Sequence, residues 1–182
     1  KKRKAPAIFH QAKPLQLTLT GNGIQKTGNT IIKGYEWNPA KPNGQTILIA
    51  HGYASYFYKF EQYIPALLKL GFRVLGFDAP GHGLSEGKYI NIIIYKHAIE
   101  NIMEQFGPID HFIGHSLGGI TISLIAETID NPTHHKFVLL APATKTSTTF
   151  ERYFNMMHFS PTLRQAFLDE LKKQTQIGRA HV

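Results

Sequence analysis

Gly114-His115-Ser116-Leu117-Gly118 decides how this 182-residue chain is read. The pentapeptide has the form G-x-S-x-G, in which a serine between a strand and a helix becomes a nucleophile elbow. Its flanks fit that context. Asp110-His111-Phe112-Ile113 reads as a short buried strand, and Ile120 to Ala126 as the apolar core of a helix. At such a turn the serine backbone is strained, and side chains two residues before or after it would collide, so glycine is needed at 114 and 118. The serine oxygen then stands at a helix N-terminus, where free N–H groups and a partial positive charge favour developing negative charge.

Two further segments supply what an elbow needs. Gln45 to Ala50 is a β-type run that stops at His51-Gly52-Tyr53. Phe72 to Phe77 is another, followed by Asp78-Ala79-Pro80-Gly81-His82-Gly83-Leu84-Ser85. Together with the elbow, these resemble the α/β-hydrolase superfamily, whose second loop reads F-D-x-x-G-x-G-x-S. The nearest likeness is to the serine aminopeptidase S33 and monoglyceride-lipase-like group, and it covers about residues 15 to 145. It implies a mostly parallel sheet with helices on both faces, antiparallel N-terminal strands and the start of a helical cap.

For the site, the likeness implies Ser116 as nucleophile, with the backbone N–H groups of Tyr53 and Leu117 as oxyanion donors. Gly52, Gly114 and Gly118 give the close approaches that this requires. His51 is expected to brace the oxyanion loop, His115 to pack or hydrogen-bond beneath the elbow, and Asp78 to organise its own loop. Tyr53, Tyr56, Phe57 and Tyr58 either line an acyl pocket or cover the core.

A serine hydroxyl also needs a base, and the base needs an orienting carboxylate, in the chain order serine, acid, histidine. His134 and His135 precede a strand at the end of the sheet away from the elbow. His158 and Asp169 fall in the presumed cap, Asp130 closes a helix, and His181 lies in the last six residues. Both remaining triad members are therefore expected downstream of this stretch. Ile177 to Val182 match one reading frame of a common sequencing adapter and are expected to be foreign, with the native chain continuing past Gln176.

Composition narrows the class. A hydrophobic content of 42% with 12% aromatic residues suits an ordinary folded domain. No apolar run approaches the roughly 20 residues of a membrane-spanning helix, and the location is read as cytoplasmic. With no cysteine, disulfide and thiolate-metal chemistry are excluded. Histidines lack ligand spacing, so neither metal nor cofactor is expected. The formal charge is +8, but Lys1-Lys2-Arg3-Lys4 supplies four of those charges. That run is read first as a solvated tail, next as a membrane-surface or linker segment, and last as a nucleic-acid face.

Along the chain, residues 1–14 read as a basic tail, 15–143 as the hydrolase core, 144–176 as the start of the cap and 177–182 as the foreign tail. Leu15 to Leu19 alternates as a half-buried strand does, Gly21-Asn22-Gly23 turns, and Thr30 to Trp37 forms a second strand. A helix is expected over about Lys59 to Leu70, with Pro65 bending it or marking its first turn. Another follows Asn91 as N-cap, with Ile92, Tyr95, Ile99, Ile102, Met103 and Phe106 inward. Lys136 to Ala141 is a further strand. Ser147 onward and Ser160-Pro161 open two cap helices, the first presenting Phe150, Tyr153, Phe154 and Met157, the second Leu163, Phe167, Leu168 and Leu171.

The leading function is cleavage of a small carboxylic ester, with lipid-like esters among the candidates, through an acyl-enzyme. Peptidase, thioesterase and acyltransferase chemistry share that intermediate. The competing class is a non-catalytic binding protein on the same fold. Oligomeric state stays open.

Overall fold

In a computed structural model, residues 4–20 and 29–142 are described, together with 160–162, 164–166 and 169. Contacts group residues 1–143 into one compact unit and 144–182 into another. The Gly21 turn, the Phe150 stripe, Leu163, Phe167, Leu168, Leu171, His158, His181 and the terminal 177–182 all lie outside the described residues. In the second unit Pro161 and Thr162 are helical after Ser160, whose carbonyl accepts from the Arg164 N–H.

The first unit is built on strands β1 (Lys13–Leu19), β2 (Thr30–Trp37), β3 (Thr46–Ala50), β4 (Arg73–Phe77), β5 (His111–His115) and β6 (Lys136–Leu140). They form one sheet in the order β1-β2-β4-β3-β5-β6. β1 and β2 are antiparallel to each other, and β2 to β4. From β4 onward the pairings are parallel. The antiparallel start and parallel remainder are as the sequence implied.

Alternate side chains of the buried strands feed two cores. Leu48 and Ala50 of β3, Leu75 and Phe77 of β4 and Phe112 of β5 pack with helices α2 (Ile92–Phe106) and α3 (Leu117–Ala126). Ile47 and Ile49, Val74 and Ile113 pack the other way, against Phe57, Phe60 and the short α1 (Ile64–Lys69). Each of the larger of these side chains (Val, Leu, Ile or Phe) contributes about 1.5–3 kcal/mol by leaving water. At Gly76 the second core comes closest: a Cβ there would lie 1.8 Å from the Phe57 ring.

Helix boundaries differ in instructive ways from expectation. Pro65 lies in the first turn of α1, because its fixed φ and missing N–H suit that position. A 3-10 turn over Phe57–Phe60 takes the place of the expected earlier helical residues. Asn91 caps α2 as expected, its side chain accepting from the Ile94 N–H at 2.8 Å. The buried stripe of α2 is Ile94, Tyr95, Ala98, Ile99 and Ile102, so Ile92 yields its inward place to Ile94. The expected tail boundary at residue 14 also moves. Ala7–Gln11 is a 3-10 turn whose Phe9 is buried among Tyr35, Trp37, Phe57 and Tyr58, and the Trp37 Nε1 donates to the Ile8 carbonyl.

Candidate active site

β5 runs directly into Ser116, which has φ 52° and ψ −115°. A β-carbon makes that left-handed backbone costly, on the order of 1–3 kcal/mol, so it persists only where the surroundings enforce it. They do so here. The Ser116 N–H donates to the Leu140 carbonyl at the end of β6, and its own carbonyl accepts from Ile120, the first bond of α3. Ser116 thus sits at the N-cap of α3 while its hydroxyl makes no capping bond.

The flanking glycines are set by contact with backbone. A Cβ on Gly114 would meet the Gly119 Cα at 2.7 Å and the Gly118 carbonyl oxygen at 2.8 Å. One on Gly118 would meet the Ala50 carbonyl oxygen at 2.4 Å and that of His51 at 2.7 Å. The second contact shows that the start of α3 lies flush against the end of β3. The loop leaving β3 consequently passes beside the elbow: a Cβ on Gly52 would stand 3.0 Å from the Ser116 Cβ and 2.9 Å from His115 Nδ1. His115 is exposed and its ring lies toward Gly52, so it does not tuck beneath the elbow as the sequence suggested.

His51 is fully buried and spends both ring nitrogens on backbone. Its Nε2 accepts from the Ala79 N–H at 2.8 Å, which leaves the proton on Nδ1 to donate to the Gly52 carbonyl at 2.8 Å. Burial pulls its pKa down to about 4. The 3.9 Å approach of Nε2 to Asp78 Oδ1 is therefore not an ion pair, since the ring is neutral and that nitrogen is already occupied by an amide. Above it, the Tyr95 hydroxyl donates to the His51 carbonyl at 3.2 Å, and burial raises the Tyr95 pKa.

Asp78 does more than organise its own loop. Its Oδ2 accepts from the Leu84 N–H at 2.8 Å, but its Oδ1 accepts from the Phe57 N–H at 2.7 Å, across in the loop after β3. Burial raises its pKa and the two amides oppose that shift. Gly83, at φ 55°, lets the carboxylate lie against the backbone, where a Cβ would fall 2.1 Å from Asp78 Cγ. Ala54 has the unfavourable φ of 51°, and its N–H donates to His82 Nε2 at 3.1 Å.

Of the aromatic residues after Gly52, Phe57 is core and Tyr58 bonds Tyr35 hydroxyl to hydroxyl at 2.8 Å. Tyr53 is 53% exposed and sets its ring edgewise on His82. Sequence reasoning missed the roles of His82 and Tyr95. Gly81-His82-Gly83 was a visible signal for the first. For Tyr95, only an apolar helix face could be read.

The downstream acid–base candidates fall elsewhere. Lys136 pairs with His111 at the start of β5, whereas Leu140 pairs with His115 beside the elbow. His135, whose Nδ1 bonds the Asp110 carbonyl, is thus about 20 Å down the sheet from Ser116. Asp130 is exposed after α3, and Asp169, also exposed, bonds Gln165 within its own unit. No group of three or more metal-ligating side chains occurs among the described residues. No helix among them is long and apolar enough to cross a membrane.

The sheet order, the crossover helices and a strained serine between β5 and α3 define an α/β-hydrolase fold. Residues 41–179 match the serine aminopeptidase S33 family, well over half of the chain, and the chain belongs to that family. It is similar to a serine hydrolase-like protein of Danio rerio, at 28% identity over 109 residues, taking in 55% of this chain and 32% of that protein. Mouse alpha/beta hydrolase domain-containing protein 10 superposes with a TM-score of 0.61 at 18% identity, over 86% of this chain and 58% of that one. The monoacylglycerol lipase of Paleococcus ferrophilus gives 0.53 at 27% identity, over 70% and 52%. The match thus takes in about a third of the Danio rerio relative and little more than half of either solved structure.

Proposed function

We propose that the protein is a serine hydrolase that cleaves carboxylic esters through an acyl-enzyme on Ser116. The observation that carries this is the backbone of Ser116, held at φ 52° on the N-terminus of α3 with Gly52 against its Cβ. Ser116 Oγ, losing its proton to a histidine base, attacks the ester carbonyl. The resulting oxyanion is received by the N–H groups of Leu117 and Tyr53, each contributing roughly 3 kcal/mol. The leaving alcohol departs with the proton, and water then hydrolyses the acyl-serine.

His51 and His82 have both ring nitrogens engaged and His135 is remote, so the proposal takes its base and acid from outside the described residues. Likeness to a monoacylglycerol lipase supports a lipid-like ester. The family's description as a serine aminopeptidase favours, as second reading, an amide substrate on the same acyl-enzyme.

A fluorophosphonate probe tests this on the longest form of the protein that its gene encodes. Labelling that is lost in Ser116→Ala is the expected result. A folded wild type that takes no label sinks the hydrolase reading and favours a binding protein.

A further inference from the structure

We infer that His82 is a positioning residue for the oxyanion loop, an inference that rests on the serine-hydrolase reading above. The loop from His51 to Phe57 is held by side chains at successive points. The Tyr95 hydroxyl takes the His51 carbonyl, His51 Nδ1 takes that of Gly52, and Asp78 Oδ1 takes the Phe57 N–H. Between these, at the tip that carries Tyr53, the clamp is His82, whose Nε2 accepts from the Ala54 N–H at 3.1 Å.

The tip is where a clamp matters most. Ala54 is held at φ 51°, a conformation an alanine abandons when nothing enforces it. Relaxing it to negative φ would rotate the adjoining peptides and shift the Tyr53 backbone relative to Ser116. His82 is itself built to resist. Its Nδ1 donates to the Pro80 carbonyl at 3.0 Å, fixing the tautomer that leaves Nε2 as acceptor. Its own N–H bonds the Ala79 carbonyl and its carbonyl accepts from Ser85. Gly81 and Gly83, at φ 72° and 55°, let so short a loop close. The groups facing its ring are the neutral His51 ring at 5.6 Å and the Tyr53 ring at 5.5 Å, and the Asp78 carboxyl lies within electrostatic reach of it. His82 acts through Ala54 and not on the substrate.

The test compares His82→Phe, which keeps a ring without an acceptor, with His82→Gln, whose amide oxygen can reach the same N–H. Amide hydrogen exchange at Ala54 is followed in the 182-residue chain, and steady-state ester hydrolysis in the longest encoded form. In His82→Phe, Ala54 exchange is expected to quicken several-fold and kcat to fall about tenfold while KM changes less than twofold. His82→Gln should recover most of both. An active wild type whose His82→Phe variant keeps its kcat, or keeps Ala54 protected, overturns the positioning role alone. A wild type with no Ser116-dependent hydrolysis overturns the hydrolase reading and this role with it, whatever the exchange shows.

Discussion

Gly52 and Ser116 come from separate loops, yet a Cβ on the first would stand 3.0 Å from the Cβ of the second. That closeness ties the end of β3 to the elbow, and it makes residue 52 sensitive to a single methyl group. In Gly52→Ala the loop has to move off Ser116 and the His115 ring. Overpacking of this kind costs about 1–3 kcal/mol. Gly118→Ala should be worse, because its Cβ would meet the Ala50 carbonyl oxygen at 2.4 Å, and a strand backbone cannot swing aside. Urea unfolding of the three proteins should rank them wild type, Gly52→Ala, Gly118→Ala. The reverse order of the two variants would contradict the packing described.

The strain at Ser116 has its own signature. A residue without Cβ is at ease at φ 52° and ψ −115°, whereas alanine is not. Ser116→Gly should therefore be more stable than Ser116→Ala by about 1 kcal/mol, although both lose the hydroxyl. Thermal or urea denaturation of the pair decides it. Equal stabilities would mean that the elbow is unstrained.

What could be read from sequence follows from what each residue's role depends on. The parallel strands β3, β4 and β5 were legible because strands buried on both faces are short apolar runs. The elbow was legible because its glycines answer to contacts within a few residues or with the neighbouring strand. Phe9 was missed because residues 7–11 carry no period, and its burial depends on Tyr35, Trp37 and Phe57 meeting over it. His82 and Tyr95 were missed for the same reason. Each acts on backbone far away in sequence, 28 residues off for His82 and 44 for Tyr95, so the Gly81-His82-Gly83 pattern marks a tight loop without naming the Ala54 amide that His82 reaches.

Asp78 and Gly83 should behave as one unit. The carboxylate bridges the Phe57 and Leu84 amides, and Gly83 leaves it room. Asp78→Asn turns an NH₂ toward one of those N–H donors and strands it in a buried place, a loss of about 1–3 kcal/mol. Gly83→Ala drives a Cβ into the same carboxylate and also strains φ. Combined, the two changes should cost clearly less than their sum, because the second breaks what the first has already broken. A double-mutant cycle by urea unfolding measures it, and strict additivity would separate the two residues.

His51 makes stability depend on pH. Its imidazole is neutral in the folded chain down to about pH 4, because burial away from water penalises the cation. Unfolded, the same ring takes up its proton near pH 6.5. Between those values the unfolded chain binds a proton that the folded chain does not, so the stability present above pH 6.5 drains away as pH falls toward 4. The loss amounts to about 3 kcal/mol. Asp78 works the other way at the acid end, since its raised pKa lets the folded chain take a proton before the unfolded one does. The positive charge of Lys59 adds to the burial that holds the His51 ring neutral. Comparison with His51→Gln isolates the imidazole. That variant should be less stable than wild type at pH 7, having lost a buried hydrogen bond, but its stability should fall less steeply between pH 6.5 and 4.5, by about 1.4 kcal/mol per pH unit. Parallel curves from chemical denaturation across that window would show that His51 is charged in the folded protein, and with it that the tautomer bridging Gly52 and Ala79 is wrong.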